Sequence, residues 1–588
     1  MLRMCSVNAA FSLKESSSKL KKSVLRMTNS TQHRGPDSTQ LISGKGFTLG
    51  FNRLGIVGGS LGSQPISNET NKIHLICNGE IFNYKELMKK HKQKHIYKTT
   101  SDAEVLLHLY EELGPEFIKL LEGQFAFAIV DENKGQVIIG RDRFGINPLF
   151  YHTKGDLLII ASEIKAILNS GFIKNISLDS EGIAECWFFY GAIPPRTSFI
   201  DIFQLPPACL GIYKISTSVL VVKPYWSLKK QEKGIYPNQK LDKILSNSVK
   251  RRVQGNYKPG VYTSGGLDSS IIAFLVKKFS KNKPELFSIA FKDKKFDESE
   301  FQDKLAKFLN CRLHKVCIDT QTIVKNIEQG LIHTETPLIR SAPIPMMLLS
   351  KEARRRKIKF VLCGEGADEL FLGYPVFLKG KSSIQDKWVE NKKYIRFFVD
   401  PEIGITISNK YKKFTDIKKD SNCLSIRRVE IQTKLSQYLL TNQGDRMSMA
   451  NSVEQRFPFL DLDVVNYALN VDRDSLIRNH MGKKVLRKAF QSVLPQELIM
   501  RKKQGYLAPD INVARELLKT QKYRKNFSER NIKKLKIFNY REVNNLVKKV
   551  SSSEIKESDA RFFIFIYTTQ LLADIFGKKF PSIVSIYR

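Results

Sequence analysis

Residues 264–270, SGGLDSS, constrain this chain more than any other segment. The run follows a short apolar stretch at 261–263 and opens a helical one, so it is read as a strand-to-helix turn. Gly265 and Gly266 let the backbone turn tightly and aim its N–H groups at an anion, while Ser264, Ser269 and Ser270 add hydroxyl donors. The G-x-x-x-x-G-K-[ST] pattern, which puts a lysine on a γ-phosphate, is absent. The loop is therefore a phosphate cradle whose chemistry is expected at the α-phosphate of ATP.

The flanking sequence supplies a scaffold for such a loop. Short buried-type runs at 261–263, 287–291, 314–318 and 359–362 alternate with helical stretches, the rhythm of a parallel α/β sheet. Ligands of such sheets sit at the carboxyl ends of the strands. A second loop there, GEGADELF at 364–371, presents Glu365, Asp368 and Glu369. Paired with Asp268, Asp368 suits Mg²⁺, which prefers a few carboxylates together with phosphate oxygens.

The first part of the chain, to about residue 212, has a different rhythm. Short β runs at 73–77, 125–130, 137–140 and 157–161, broken by turns, predict stacked antiparallel sheets. The Ser- and Lys-rich start through Lys22 has some transit-peptide character, but its apolar stretch at 7–13 reads better as a first core strand. One helix is well signalled: Ser101 as cap, Glu104 completing a capping box, and Val105, Leu106, Leu109 and Leu113 as the buried stripe before Gly114. Residues 228–240 turn polar and read as a linker, and a Lys-rich segment at 374–422 receives no assignment.

Size and charge narrow the function classes. A chain of 588 residues with 42% apolar composition supports two to four domains. Lys and Arg number 96 against 58 Asp and Glu, a net +38 that favours phosphates and polyanions in general. The basic groups at 19–22, 354–357 and 533–536 have no aromatic interleaving, so they read as solvated faces and a nucleic-acid partner is not expected. Eight scattered cysteines without a C-x-x-C indicate neither a disulfide framework nor a zinc site and fit a cytoplasmic setting. No apolar run approaches the roughly 18 residues of a membrane span.

Ten motifs then occur in order: HRGPD (33–37), RLGIVG (53–58), NGEIFNY (78–84), SDAEVLLHLYEELG (101–114), GRDRFGINPLFY (140–151), SGGLDSS, GEGADELFLGY (364–374), DRMSMANSVEQRFPFLD (445–461), GKKVLRKAF (482–490) and RKKQGY (501–506). In these the chain resembles the glutamine-hydrolysing asparagine synthetases from Met4-Cys5 to about residue 509. The resemblance implies an α+β N-terminal-nucleophile glutaminase sandwich over 5–212 and a linker over 213–240. It further implies an α/β ATP-pyrophosphatase domain with a helical C-terminal region over 241–510, followed by a basic, helical C-terminal extension over 511–588.

The resemblance also assigns residues. Cys5 is the nucleophile, activated by its own freed α-amine, whose reference pKa of roughly 7.7–8.0 suits a base near neutral pH. Met1-Leu2-Arg3-Met4 precede it here, and a start at Met4, leaving one methionine to remove, is preferred to a cleaved leader. Ser6 stands where the family commonly has Gly. Arg53 holds the glutamine carboxylate and Asp102 its ammonium, with Glu80 at the same site, and the Asn78 side chain and Gly79 N–H receive the oxyanion.

In the second half, main chain near Tyr262, Ile289, Cys363 and Gly364 holds adenine, although the family commonly has Leu and Ser in place of Tyr262 and Cys363. Ser264, Gly265, Gly266, Asp268, Ser269 and Ser270 hold the phosphates, Asp268 and Asp368 hold Mg²⁺, Lys483 neutralises charge and Glu365 assists the adenylate. Arg340 and Ser341 meet the carboxylate of the acceptor, for which aspartate leads. A homodimer and an internal apolar passage for ammonia are further expectations. The alternatives are amidation of another carboxylate, a nucleic-acid-modifying enzyme with the same pyrophosphate loop, and a catalytically silent relative.

Overall fold

The computed structural model describes residues 5–54, 62–91, 95–229, 240–254, 257–379, 381–415, 423–477, 481–501 and 505–577. Met1 to Met4, most of the segment read as a linker, part of RLGIVG and part of RKKQGY lie outside them.

Two six-stranded antiparallel sheets form the N-terminal half. In the first, Ser6–Phe11 runs between Leu157–Ala161 and Phe47–Arg53; in the second, Gly123–Asp131 runs between Ile73–Ile81 and Gln136–Arg141. Strand alternation sorts their side chains. Val7, Ala9, Phe11, Leu49 and Phe51 meet Ile76, Ala126, Ala128 and Val130 in the core between the sheets. The opposite face of the second sheet carries Leu75, Phe125, Phe127 and Ile129, and the helix Glu104–Leu113 packs on it through Val105, Leu106 and Leu109. The first sheet is backed by the helix Ser17–Ser30 through Leu20, Val24 and Met27. The stretch read as a first core strand is one, fully buried from Ser6 to Phe11.

Three details differ from the sequence reading. The capping box does not close: the Ser101 hydroxyl accepts from Ala103 N at 3.2 Å, but the Glu104 carboxylate takes the N–H groups of Lys98 and Thr99, both at 2.7 Å. Leu113 is 42% exposed, because the helix ends at Gly114 before its stripe comes round to the sheet again. The N-terminal sheets also continue past 212: Cys209–Lys214 and Val219–Pro224 form a hairpin that extends the second sheet from Gln136–Arg141. That hairpin takes in the start of the linker expected over 213–240.

The second half is built on a five-stranded parallel sheet in the order Leu313–Ile318, Glu285–Phe291, Gly260–Tyr262, Phe360–Leu362, Glu454–Arg456. From the central strand Gly260–Tyr262 the chain builds outward on one side, then returns to the other. This reversal opens a crevice at the carboxyl ends of Gly260–Tyr262 and Phe360–Leu362, the position where open parallel sheets bind ligands. SGGLDSS and GEGADELF leave those two strands.

The C-terminal part is helical, and the unassigned segment contains the helices Pro375–Lys379, Lys381–Lys392 and Glu402–Thr415. The residues after 510, read as a basic extension, are not an appendage. The helix Glu557–Gly577 buries Phe562, Phe563, Phe565 and Ile566 in the core of the second half. Its last turns place Leu572 and Phe576 with Leu20, Val24 and Met27 of the first. Among the described residues no helix is long and apolar enough to cross a membrane.

Candidate active site

The sequence brings two constellations together, one in each half. Cys5 stands at the head of the first strand, partly exposed, with its thiol 3.7 Å from the Leu54 carbonyl it donates to. Burial in apolar surroundings pushes that thiol up to about 12. The Arg53 charge favours its thiolate and the Glu454 and Asp102 charges oppose it. Asp102 accepts from Ile81 N at 2.7 Å, which pins it to the strand that carries Asn78 and Gly79. Burial raises its carboxyl to about 6, with the Ile81 N–H opposing.

Asn78 and Gly79 lie on the strand Ile73–Ile81, just before Ile81. The Asn78 carbonyl accepts from Asn147 Nδ2 at 2.8 Å, but its own Nδ2 is buried without a hydrogen-bond partner. A buried amide N–H left open costs about 1–3 kcal/mol unless an acceptor reaches it. Gly79 lies at φ 128°, and a Cβ there would sit 2.0 Å from the Gln124 carbonyl. Asn147, which sequence reasoning passed over within GRDRFGINPLFY, also reaches Gln124 O at 3.2 Å. Asp142 of the same motif fixes that turn by accepting from the N–H groups of Phe144, Ile146 and Asn147. Glu80, expected beside glutamine, instead pairs a carboxylate oxygen with Arg456 of the other half.

In the second half a cavity of about 610 Å³ fills the sheet crevice. Of the residues expected there, Tyr262, Ser264, Gly266, Asp268, Ser269, Ile289, Gly364, Glu365, Asp368, Lys483 and Arg340 line it. At its centre the Lys483 ammonium lies 2.5 Å from both Asp268 Oδ2 and Asp368 Oδ1. Lys483 is held in the left-handed region at φ 64°, its N–H bonded to Phe371 O at 2.9 Å. Gly373 and Gly482 admit it: a Cβ on Gly373 would meet the Lys483 side chain at 2.3 Å, and one on Gly482 the Leu372 carbonyl at 1.9 Å. Asp268 Oδ1 is buried without a hydrogen-bond partner.

Four expected residues fall outside this lining. Gly265, at φ 68°, turns against Phe301; Ser270 and Cys363 are buried behind the loops. Ser341 bonds to Asp510 instead, through its hydroxyl at 2.6 Å and its N–H at 2.8 Å, which removes its side chain as an acceptor contact. Arg340 remains, its Nε donating to the Tyr438 hydroxyl at 2.9 Å. The structure adds Arg501, which donates to Ser264 O at 3.0 Å and pairs with Glu298, and Arg487. Both lie inside motifs already noted, RKKQGY and GKKVLRKAF, but in a chain this rich in basic residues nothing local separates them from their neighbours. Glu369 is raised to about 7 by burial and by the adjacent Asp368, against the pull of Lys434.

The fold and the paired sites define a class: a glutamine amidotransferase joined to an ATP-using synthetase. The glutamine amidotransferase domain profile matches residues 4–226 and the asparagine synthase profile residues 240–565. The chain belongs to the asparagine synthase family. It is 28% identical over 540 residues to asparagine synthetase [glutamine-hydrolyzing] 1 of Bacillus subtilis (83% of this chain, 84% of the relative). It is 29% identical over 524 residues to asparagine synthetase B of Escherichia coli (86% and 82%), and 32% identical over 432 residues to a putative asparagine synthetase of Methanocaldococcus jannaschii (72% and 69%). The synthase match reaches 565, so the helices after 510 belong to that domain.

Proposed function

We propose that the chain makes asparagine from aspartate, ATP and glutamine. The observation that carries this reading is the Lys483 ammonium seated between Asp268 and Asp368 in the switch-point cavity, in a chain whose other half gathers Cys5, Arg53 and Asp102.

The Cys5 thiolate attacks the amide carbon of glutamine while Arg53 and Asp102 hold the substrate's carboxylate and ammonium. The oxyanion is received by Asn78 Nδ2 and the Gly79 N–H, ammonia leaves, and water hydrolyses the thioester to glutamate. A thiol raised this far needs a base, and its own α-amine serves only when nothing is attached to it; with Met1 to Met4 in place that nitrogen is an amide.

In the cavity the aspartate side-chain carboxylate attacks the α-phosphorus of ATP and pyrophosphate leaves. Ammonia then displaces AMP from the acyl-adenylate. Lys483 neutralises charge on the phosphates, the N–H groups and hydroxyls of SGGLDSS orient them, Arg340 faces the acceptor and Glu365 moves a proton at the aminolysis step. Asp268 and Asp368, an all-oxygen pair with one buried oxygen open, fit Mg²⁺, which when bound would offset charge on the pyrophosphate. A cytoplasmic homodimer with an apolar ammonia passage completes the proposal.

The test supplies ATP, Mg²⁺, glutamine and aspartate and measures asparagine, AMP and pyrophosphate. Lys483→Ala is expected to abolish AMP formation and leave glutamine hydrolysis intact. Retained synthesis in that variant would remove Lys483 from the reaction, and no asparagine from the unaltered chain would remove the reading itself.

A further inference from the structure

Nine histidines are spread over 588 residues, yet His91, His95 and His108 gather beside the helix Glu104–Leu113 with Glu69, Glu104, Glu111 and Glu112. Neither the amide transfer nor the adenylation uses any of them. At the centre of this group Glu69, His95, His108 and Glu111 each offer one ligand atom, all within 4.8 Å of one another.

The spacing is that of a small coordination shell. His108 Nδ1 lies 3.1 Å from Glu111 Oε2, and His95 Nδ1 lies 3.3 Å from Glu69 Oε1. The cross distances are 3.8 Å from His95 Nδ1 to Glu111 Oε2 and 3.9 Å from His108 Nδ1 to Glu69 Oε2. A tetrahedral zinc ion with ligands at about 2.0–2.1 Å has ligand-to-ligand edges of about 3.3 Å. Two of these distances match that edge, and four ligand atoms that lie within 4.8 Å of one another would draw together to complete the shell.

The surroundings are those of ligands held in place. The remaining ring nitrogens face further carboxylates, His95 Nε2 at 3.5 Å from Glu112 Oε1 and His108 Nε2 at 3.7 Å from Glu104 Oε1. At those separations neither ring nitrogen is hydrogen-bonded; a carboxylate drawn within bonding distance of a ligating imidazole would fix its tautomer and orientation. Glu111 is steadied by Asn68 Nδ2 at 2.7 Å and Glu69 by Ile96 N at 2.9 Å. His91 Nδ1 lies 2.9 Å from Glu112 Oε2, the Tyr97 ring packs edge-on to His108, and Lys98 sits at the margin on the Asn68 carbonyl. Four carboxylates surround three imidazoles, so the group stays negative even with every histidine protonated, in a chain whose net charge is +38. A divalent cation would take the place of the protons on His95 and His108, which must be neutral to ligate it.

We propose that Glu69, His95, His108 and Glu111 bind a divalent transition-metal ion of the zinc class through two imidazole nitrogens and two carboxylate oxygens. The ion would clasp the residues just before Asp102 to the helix that follows it, holding one wall of the Cys5 pocket. Cysteine spacing gave no hint of it, because the ligands are His and Glu drawn from three separate segments. It is independent of the proposed catalytic roles.

The test uses the full chain, stripped with a chelator and titrated with Zn²⁺ by calorimetry and with Co²⁺ by the visible absorption of tetrahedral cobalt. One equivalent is expected that His95→Ala and His108→Ala each remove, with Glu112→Gln weakening it about 10- to 100-fold. If His108→Ala does not fold, His95→Ala and Glu69→Gln, at partly exposed positions, carry the comparison, with far-ultraviolet circular dichroism verifying their fold. Binding weaker than about 100 μM in the unaltered chain, or an equivalent that survives in His95→Ala, overturns the site.

Discussion

Arg34 is the residue whose loss should most clearly separate the two halves. It is fully buried and makes four bonds: to Glu163 Oε1 at 3.0 Å, to both Asp445 oxygens at 2.9 Å, and to the Cys5 carbonyl at 3.3 Å. Burial works against its charge, but Asp445 and Glu163 more than compensate and hold the guanidinium protonated. In Arg34→Met, Glu163 keeps Lys165 and Arg446 as partners, whereas Asp445 is left as a buried carboxylate without its fork. Removing one partner of such a pair costs about 3–5 kcal/mol. For an amidotransferase half of this size that corresponds to a melting shift of about 6–20 °C. Differential scanning calorimetry is expected to show the transition lowered by that amount and split, since the halves lose a shared anchor. Glutamine hydrolysis should fall with it, because Arg34 also holds the Cys5 carbonyl. Asp445→Asn should cost less, since Arg34 keeps Glu163, and Arg34→Met with Asp445→Leu should recover most of the loss. An Arg34→Met protein that melts within about 1 °C of the unaltered chain would refute the reasoning, showing the pair to be solvated.

Three more outcomes can be checked directly. Asn78→Ala should lower the kcat of glutamine hydrolysis about 10²- to 10³-fold while synthesis from added ammonia persists; equal loss of both would deny Asn78 an oxyanion role. Arg456 pairs with Glu80 and, at 2.7 Å, with Glu454, so Arg456→Ala should leave buried carboxylates at the boundary between the sites and raise the glutamate formed per asparagine above one. Iodoacetamide at pH 8, followed by peptide mapping, should label exposed Cys317 well before Cys5 in a chain that retains Met1 to Met4, since burial lifts the Cys5 thiol to about 12. The sign of the linked stability effect follows: the unfolded thiol ionises first, so this group's contribution is full below the ordinary thiol range and is lost as pH climbs toward about 12.

The sequence by itself determined the two rhythms and the loops between strands and helices. Alternation at 73–77 and 125–130 marked antiparallel strands because a strand shows its faces residue by residue, and SGGLDSS marked a phosphate cradle because a tight turn needs glycine wherever it occurs. Such signals are local, and so were the errors within their reach: the Glu104 box failed because Lys98 and Thr99, upstream of the expected cap, offered that carboxylate better donors.

Tertiary structure alone decided which charged groups meet. Lys483 stands 215 residues from Asp268, and Arg34 stands 411 from Asp445. Ser341 looked available until the fold brought Asp510 to it, and Glu80 until it brought Arg456. The apolar helix Glu557–Gly577, read as part of a basic tail, was claimed by cores in both halves. Coulombic and hydrogen-bond energies fall off within a few ångströms, so what a side chain does is set by neighbours the fold delivers, while the backbone's local preferences are carried by the residues beside it.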